Sequence, residues 1–201
     1  MSDNFIEYFY SAHSAYAYLG APKLAEINRE TGWRIVHRPF DFLPVVDAAG
    51  AQNFKARSPA HINYFFGREL SRWAQWRDLP MISHRPTFHD NPLGTPNGMI
   101  IASDNPDRLS FAILQAHWRD DADIADAATL LQIAHDCGED GEALLKAASS
   151  DMVVAQHTAN TTEAIARNLF GSPTYFVHGD MFYGQDRLEM LARAIRHPFD
   201  P

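Results

Sequence analysis

Apolar and polar positions divide the chain into two short strand-bearing ends and a long helical middle. Phe5 to Tyr10 (FIEYFY) is a short aromatic run that predicts a strand. From Ala15 to Arg29 the apolar residues Tyr18, Leu19, Leu24, Ala25 and Ile27 share a helix face. Pro22 is either a kink or a first-turn residue there, and Gly32 stops the helix. Trp33 to Phe40 (WRIVHRPF) alternates enough to predict a second strand. After Pro44 the character changes. Ala48 to Arg57 reads as loop, Ala60 to Arg77 as an aromatic-rich helix, and Ser83 to Pro96 as a loop rich in Pro, His and Asn. From Asn97 to about Asn168 every strong pattern is helical. Thr174 to Val177 and Met181 to Tyr183 then predict a hairpin around His178-Gly179-Asp180, and Arg187 to Arg196 a closing helix.

The order is β-α-β, a helical block, then β-β-α. That order predicts an α/β thioredoxin-like fold with a large all-helical insertion. Residues 1–46 and 169–201 would form the thioredoxin-like domain, and residues 47–168 the helical insertion and a connecting helix. The chain has 201 residues, 46% of them hydrophobic and 21% charged, which is enough to bury a sizeable core. The formal net charge of −8 gives no basic face, so a nucleic-acid partner is not expected. No window approaches the roughly 20 apolar residues of a membrane span. MSDNFIEYFY lacks the features of a signal peptide, so a cytoplasmic location is the expectation.

Cys137 is the only cysteine, which excludes an intrachain disulfide; in HDCGED it reads as a semi-buried structural residue at a helix end. No metal is expected, because His84 and His89 in SHRPTFHDN lack a third ligand in register. Several positions carry a structural and a chemical reading together. Ser14 sits where a helix N-cap belongs, and a hydroxyl there can also steady an anion. Pro173 precedes a strand, where its missing N–H does no harm. Asp186 with Glu189 three residues on forms a capping-box variant. Asn97 opens a helix after GTP, as an N-cap or a substrate contact. Lys55 and Arg57 in NFKARSP are solvated charges or anion-facing cations. Tyr64, Phe65, Phe66, Trp73 and Trp76 are expected mostly in the core.

Three segments carry a family resemblance. GSPTYFV followed by MFYGQDRL resembles the C-terminal half of the DsbA-like thioredoxin superfamily. More narrowly, it resembles the branch of 2-hydroxychromene-2-carboxylate isomerases and kappa-class glutathione transferases. FYSAHSAYAYLG resembles that branch's strand-loop-helix segment, with Ser14-Ala15 in the place of a Ser-Pro pair, and LSRWAQWRDLP resembles its RWA…P helix. The departures are Ala15 for proline, Ile62 where a basic residue is usual, and His13 beside the serine. His13 reads as a solvated loop histidine, with a proton shuttle as its alternative.

The resemblance implies glutathione as cofactor, with Ser14 as the activator of its thiol. Disulfide exchange is excluded because no cysteine stands at that helix start. Ser172 would pair its backbone with the cysteinyl part, held by a cis Pro173 bond. Tyr183, Gly184, Gln185 and Asp186 would hold the γ-glutamyl end, Gly184 allowing close backbone approach and Asp186 facing the ammonium group. Lys55, Arg57 and Asn97 would face a small aromatic carboxylate or other electrophile. A homodimer is expected. The implied activity is glutathione-dependent isomerisation of the 2-hydroxychromene-2-carboxylate type, with a conjugating transferase and a non-catalytic glutathione binder as rivals.

Overall fold

A computed structural model describes residues 4–50 and 57–200. Among the described residues four strands form one sheet in the order β2-β1-β3-β4. They are β1 (Phe5–Tyr10), β2 (Arg34–Pro39), β3 (Thr174–Val177) and β4 (Asp180–Tyr183). β1 runs parallel to β2 and antiparallel to β3, with Tyr8 opposite Tyr175 and Phe9 opposite Thr174. The β3–β4 hairpin turns on His178 and Gly179, at φ 55° and 84°. Two successive positive φ values are what a tight two-residue hairpin needs, and glycine meets that need without a Cβ penalty.

FIEYFY lacks clean alternation because both of its faces are covered. Ile6, Tyr8 and Tyr10 point into the main core, and Phe9 into a second cluster with Phe40, Val45, Ala164, Leu169 and Phe176. The tyrosines stack along the first face: Tyr8 lies 4.0 Å from Tyr10 and 5.2 Å from Tyr175, ring centre to ring centre.

The helices are α1 (Ala15–Thr31), α2 (Phe42–Ala48), α3 (Pro59–Asn63), α4 (Leu70–Trp76), α5 (Gly94–Ala102), α6 (Pro106–Trp118), α7 (Ala127–Asp136), α8 (Gly141–Ala148), α9 (Asp151–Ala166) and α10 (Leu188–Arg196). Their starts follow the local chemistry of capping. Ser14, Ser58, Asn105, Asp126, Asp140 and Ser150 each accept a hydrogen bond from the backbone N–H three residues on. α1 ends on Gly32 at φ 69°, and Pro22 lies in its interior rather than its first turn.

α2 was not expected. It has seven residues, a proline near its start and only Val45 and Val46 buried, so it offers too short a period to read. It also runs across residue 46. Between α3 and α4 the helix widens into a π-turn, Tyr64–Glu69. The aromatics there are a correction: Tyr64, Phe65, Phe66 and Trp76 are exposed, and only Trp73 of the five packs against the core. The helical block and the sheet share one continuous core, in which Tyr18, Met99, Leu109, Ile113, Leu130 and Leu144 join the β1 tyrosines. No helix among the described residues is long and apolar enough to cross a membrane.

One close approach holds the block together. A Cβ on Gly98 in α5 would lie 2.9 Å from both the Cβ and the carbonyl oxygen of Ala148 at the end of α8. Gly98→Ala must therefore push the helices apart, and overpacking of this kind costs about 1–3 kcal/mol. A lower denaturant midpoint with an unchanged slope is the expected result, and an unaltered midpoint would mean that α8 yields freely.

Candidate functional site

Four segments meet at one end of the sheet: the loop after β1 (Ser11 to Ser14), the loop after β2, the approach to β3 (Gly171 to Pro173) and the exit from β4 (Gly184 to Asp186). Binding sites of open α/β sheets form where loops converge in this way.

Ser14 caps α1, its hydroxyl accepting from the Ala17 N–H at 3.2 Å. The same hydroxyl donates to the Ser172 carbonyl at 3.3 Å. The Ser172–Pro173 peptide bond is cis, as the resemblance implies. The Ser11 N–H donates to the Ser172 hydroxyl at 3.1 Å, so the two loops are tied at both serines. Ser14 therefore lies at the positive end of a 17-residue helix, beside a half-buried backbone carbonyl.

Gly184 has φ 101° and ψ 147°, a backbone region nearly closed to side-chain-bearing residues, and its N–H donates to the Pro173 carbonyl at 2.9 Å. The next three residues form a short 3-10 turn, Gln185–Arg187. Gln185 is buried, and its side-chain Oε1 accepts from Arg77 Nη2 at 3.3 Å. Asp186 is exposed and pairs with Arg187 at 3.1 Å. The expected capping box is absent: no side chain caps α10, because the 3-10 turn places Asp186 inside helical geometry. Tyr183 is exposed and edges onto Phe170. Burial of its hydroxyl end pushes its pKa up, while the Arg57 guanidinium opposes that shift.

Arg57 thus stands near Tyr183, and its guanidinium also lies 5.9 Å from the centre of the Phe66 ring. Lys55 falls outside the described residues. The π-turn joins this side of the site: the Tyr16 hydroxyl donates to the Phe65 carbonyl at 2.9 Å. A π-turn leaves backbone carbonyls poorly paired, and a donor two residues after Ser14 takes one of them.

Asn97 is not an N-cap. It is the fourth residue of α5, after the Leu93 cap, and it is fully buried. Its side-chain oxygen accepts from the Ala12 N–H at 3.3 Å, and its amide nitrogen donates to His157 Nε2 at 3.1 Å. Asn97 therefore steadies the Ser11–Ser14 loop from beneath.

His13 is not solvated either. It is half-buried, its Nδ1 lies 2.7 Å from the Ser11 hydroxyl, and its ring centre is 4.5 Å from His89. His89 Nδ1 is in turn 2.9 Å from His117 Nε2. Burial, then His89, His117 and Arg85, holds His13 down to about 3, and burial, then His117 and Arg85, holds His89 down to about 4. His117 is lowered as well, chiefly by burial. Free histidine titrates near 6.5, so below that pH the unfolded chain binds more protons than the folded one. Stability should fall as pH drops from about 6.5 toward about 4. His89→Gln should flatten that dependence in denaturant melts, and an unchanged slope would remove His89 as its source. No group of three potential metal ligands occurs among the described residues.

Cys137 caps the end of α7, buried against the Arg108 carbonyl, and does not join these loops. A serine at the start of α1, a cis proline before β3 and a large helical insertion in a four-stranded sheet are the arrangement of a thioredoxin-like fold with no cysteine at the helix start. A model of the DSBA-like thioredoxin domain matches residues 5–196.

The chain belongs to the DSBA-like thioredoxin domain family. It is 27% identical to a 2-hydroxychromene-2-carboxylate isomerase of Sphingobium xenophagum, over 92% of this chain and 95% of that one. It is 24% identical to another from Pseudomonas sp. strain C18, over 94% and 89%. A solved structure of a 2-hydroxychromene-2-carboxylate isomerase superposes with a TM-score of 0.80 at 22% identity, covering 96% of this chain and 94% of that one. Within this DSBA-like frame, Ser11 has the wrong offset from YLG to be the motif's serine, and sequence reasoning missed Arg77 and His157. Each acts through a neighbour far away in the chain, and no local pattern marks such a residue.

Proposed function

We propose that this DSBA-like chain is a glutathione-dependent isomerase of the 2-hydroxychromene-2-carboxylate type. The observation that carries the reading is the Ser14 hydroxyl, at a helix N-terminus and 3.3 Å from the Ser172 carbonyl beside the cis proline. The names of the relatives support it. The residues present suit the tripeptide: a hydroxyl and helix start for a thiolate, a backbone edge at Ser172, and an exposed carboxylate at Asp186 for an ammonium group.

Glutathione, when bound, supplies a thiolate that adds reversibly to a conjugated carbon of the substrate, so that a former double bond can rotate. Ser14 releases Ser172 and donates its hydrogen bond to the sulfur. The α1 N-terminus adds its partial positive charge, and together they increase the ionised fraction of a thiol whose ordinary pKa is about 8.5. Ser172 offers backbone N–H and C=O to the cysteinyl unit. Arg57, beside Tyr183 and Phe66, supplies a cation on the β4 side of the site. Tyr183 and Gly184 flank the γ-glutamyl end.

The test is turnover of 2-hydroxychromene-2-carboxylate with catalytic glutathione. Isomer should form while the glutathione is recovered unchanged. A stable thioether made with an electrophilic aryl halide, without isomerisation, would instead establish a conjugating transferase. Binding without either reaction would establish a non-catalytic role.

A further inference from the structure

The strand order splits the site into two sides. Ser172, before β3, and Gly184 to Asp186, after β4, lie to one side of Ser14. The π-turn and Arg77 close that same side, through Tyr16 and Gln185. On the other side, beyond β1 toward β2, stand His13, Phe42 and His89. The His13 and Phe42 rings meet edge to face at 6.0 Å. A tripeptide held by the β3–β4 side leaves this aromatic, imidazole-lined side for the electrophile.

We propose that His13 is a catalytic residue of this site, whose Nε2–H donates a hydrogen bond to the carbonyl oxygen of a conjugated electrophile while the thiolate adds. This rests on the glutathione reading above.

The Ser11 hydroxyl sets the tautomer. Ser11 is fully buried, and His13 Nδ1 at 2.7 Å is the partner its hydroxyl has. A buried O–H left without an acceptor costs more than an unused lone pair, so the hydroxyl donates to Nδ1. The ring proton then sits on Nε2, which makes no hydrogen bond to the described residues. Trp118 fixes the backbone of the same residue, its indole N–H donating to the His13 carbonyl at 2.9 Å. Burial first, then the electrostatics of His89, His117 and Arg85, opposes a second proton on the ring, with Asp90 acting the other way. An uncharged imidazole is therefore the donor, a role known for histidines whose pKa is pushed down.

The electrons balance without a proton transfer. As sulfur bonds to the far carbon of a C=C–C=O unit, the alkene pair moves between the central carbons and the carbonyl pair moves onto oxygen. His13 Nε2–H stabilises that oxyanion. On expulsion of the thiolate both pairs return. The substrate class is thus a conjugated carbonyl compound, in preference to a simple alkyl halide, whose displacement builds no oxyanion.

The experiment uses the full chain, glutathione, trans-4-phenyl-3-buten-2-one and benzyl chloride. His13→Phe keeps an aromatic ring against His89 and removes the N–H. The ketone rate should fall by about 10²-fold, and by at least about tenfold more than the benzyl chloride rate. His13→Gln, which keeps a side-chain N–H, should recover part of it. Nitrogen-15 NMR of the imidazoles should show His13 as the Nε2–H tautomer, shifting when the ketone binds. If His13→Phe does not fold, Ser11→Ala serves, with a mixed tautomer and a smaller, few-fold loss confined to the ketone expected. Equal losses on both electrophiles, or an Nδ1–H tautomer, would overturn the proposal. Absence of thiolate absorbance from glutathione bound to the unmodified chain would instead overturn the glutathione reading beneath it.

Discussion

Ser14→Ala should lower glutathione-dependent turnover by about 10²-fold or more, while the fold survives. Removing one donor aimed at a developing charge in a water-poor site costs about 2.7–4 kcal/mol of transition-state stabilisation. The same substitution also removes an N-cap, worth about 1 kcal/mol of stability. Those two losses are separable. A circular dichroism melt reads the second, and the pH dependence of thiolate absorbance in the glutathione complex reads the first. The apparent thiol pKa should rise in Ser14→Ala toward its free value, because the α1 dipole remains and the hydroxyl does not. Ser14→Thr preserves both the cap and the donor, so it should retain part of the activity. A Ser14→Ala protein with unaltered thiol pKa and unaltered turnover would reduce Ser14 to a structural cap.

The backbone landmarks of this candidate site were readable because they lie at chain positions with strong local signatures, while their chemical roles and the cis bond came only from the family resemblance. Ser14 precedes a helix face, Pro173 precedes a strand, and Gly184 breaks the pattern between β4 and α10. Each reports a backbone event that the sequence must encode locally. Elements with long or regular periods were likewise legible, which is why the β-α-β and β-β-α ends emerged from patterning alone.

The rest depended on tertiary contacts. Tyr64, Phe65, Phe66, Trp73 and Trp76 sit at mixed helical spacing, yet the first three fall in a π-turn and, with Trp76, are exposed. Asp186 and Glu189 have the spacing of a capping box, yet the 3-10 turn moves the helix start past Asp186. His13 looked solvated because its neighbours His89 and His117 lie 76 and 104 residues along the chain, on a loop and a helix that only the fold brings back.

Asn97→Leu should be among the most damaging single changes outside the apolar core. Asn97 is fully buried and makes two bonds that leucine cannot. The buried Ala12 N–H loses its acceptor, at a cost of about 1–3 kcal/mol, and the half-buried His157 Nε2 loses its donor, at a smaller cost. The expected loss is about 2–5 kcal/mol in denaturant unfolding. The effect on function follows from position. Ala12 lies two residues before Ser14, in the loop whose Ser11 N–H is bonded to Ser172. Freed from Asn97, that loop no longer holds Ser14 at a defined distance from the Ser172 carbonyl, and misplacement by about 1 Å can cost 10²-fold in rate. Asn97→Asp separates the two bonds. A carboxylate still accepts from the Ala12 N–H but donates nothing to His157 and favours its protonated form. It should therefore keep more turnover than Asn97→Leu, and keep the most where His157 is charged, toward acid pH. If Asn97→Asp and Asn97→Leu lose turnover equally at every pH, the bond to Ala12 does not position Ser14.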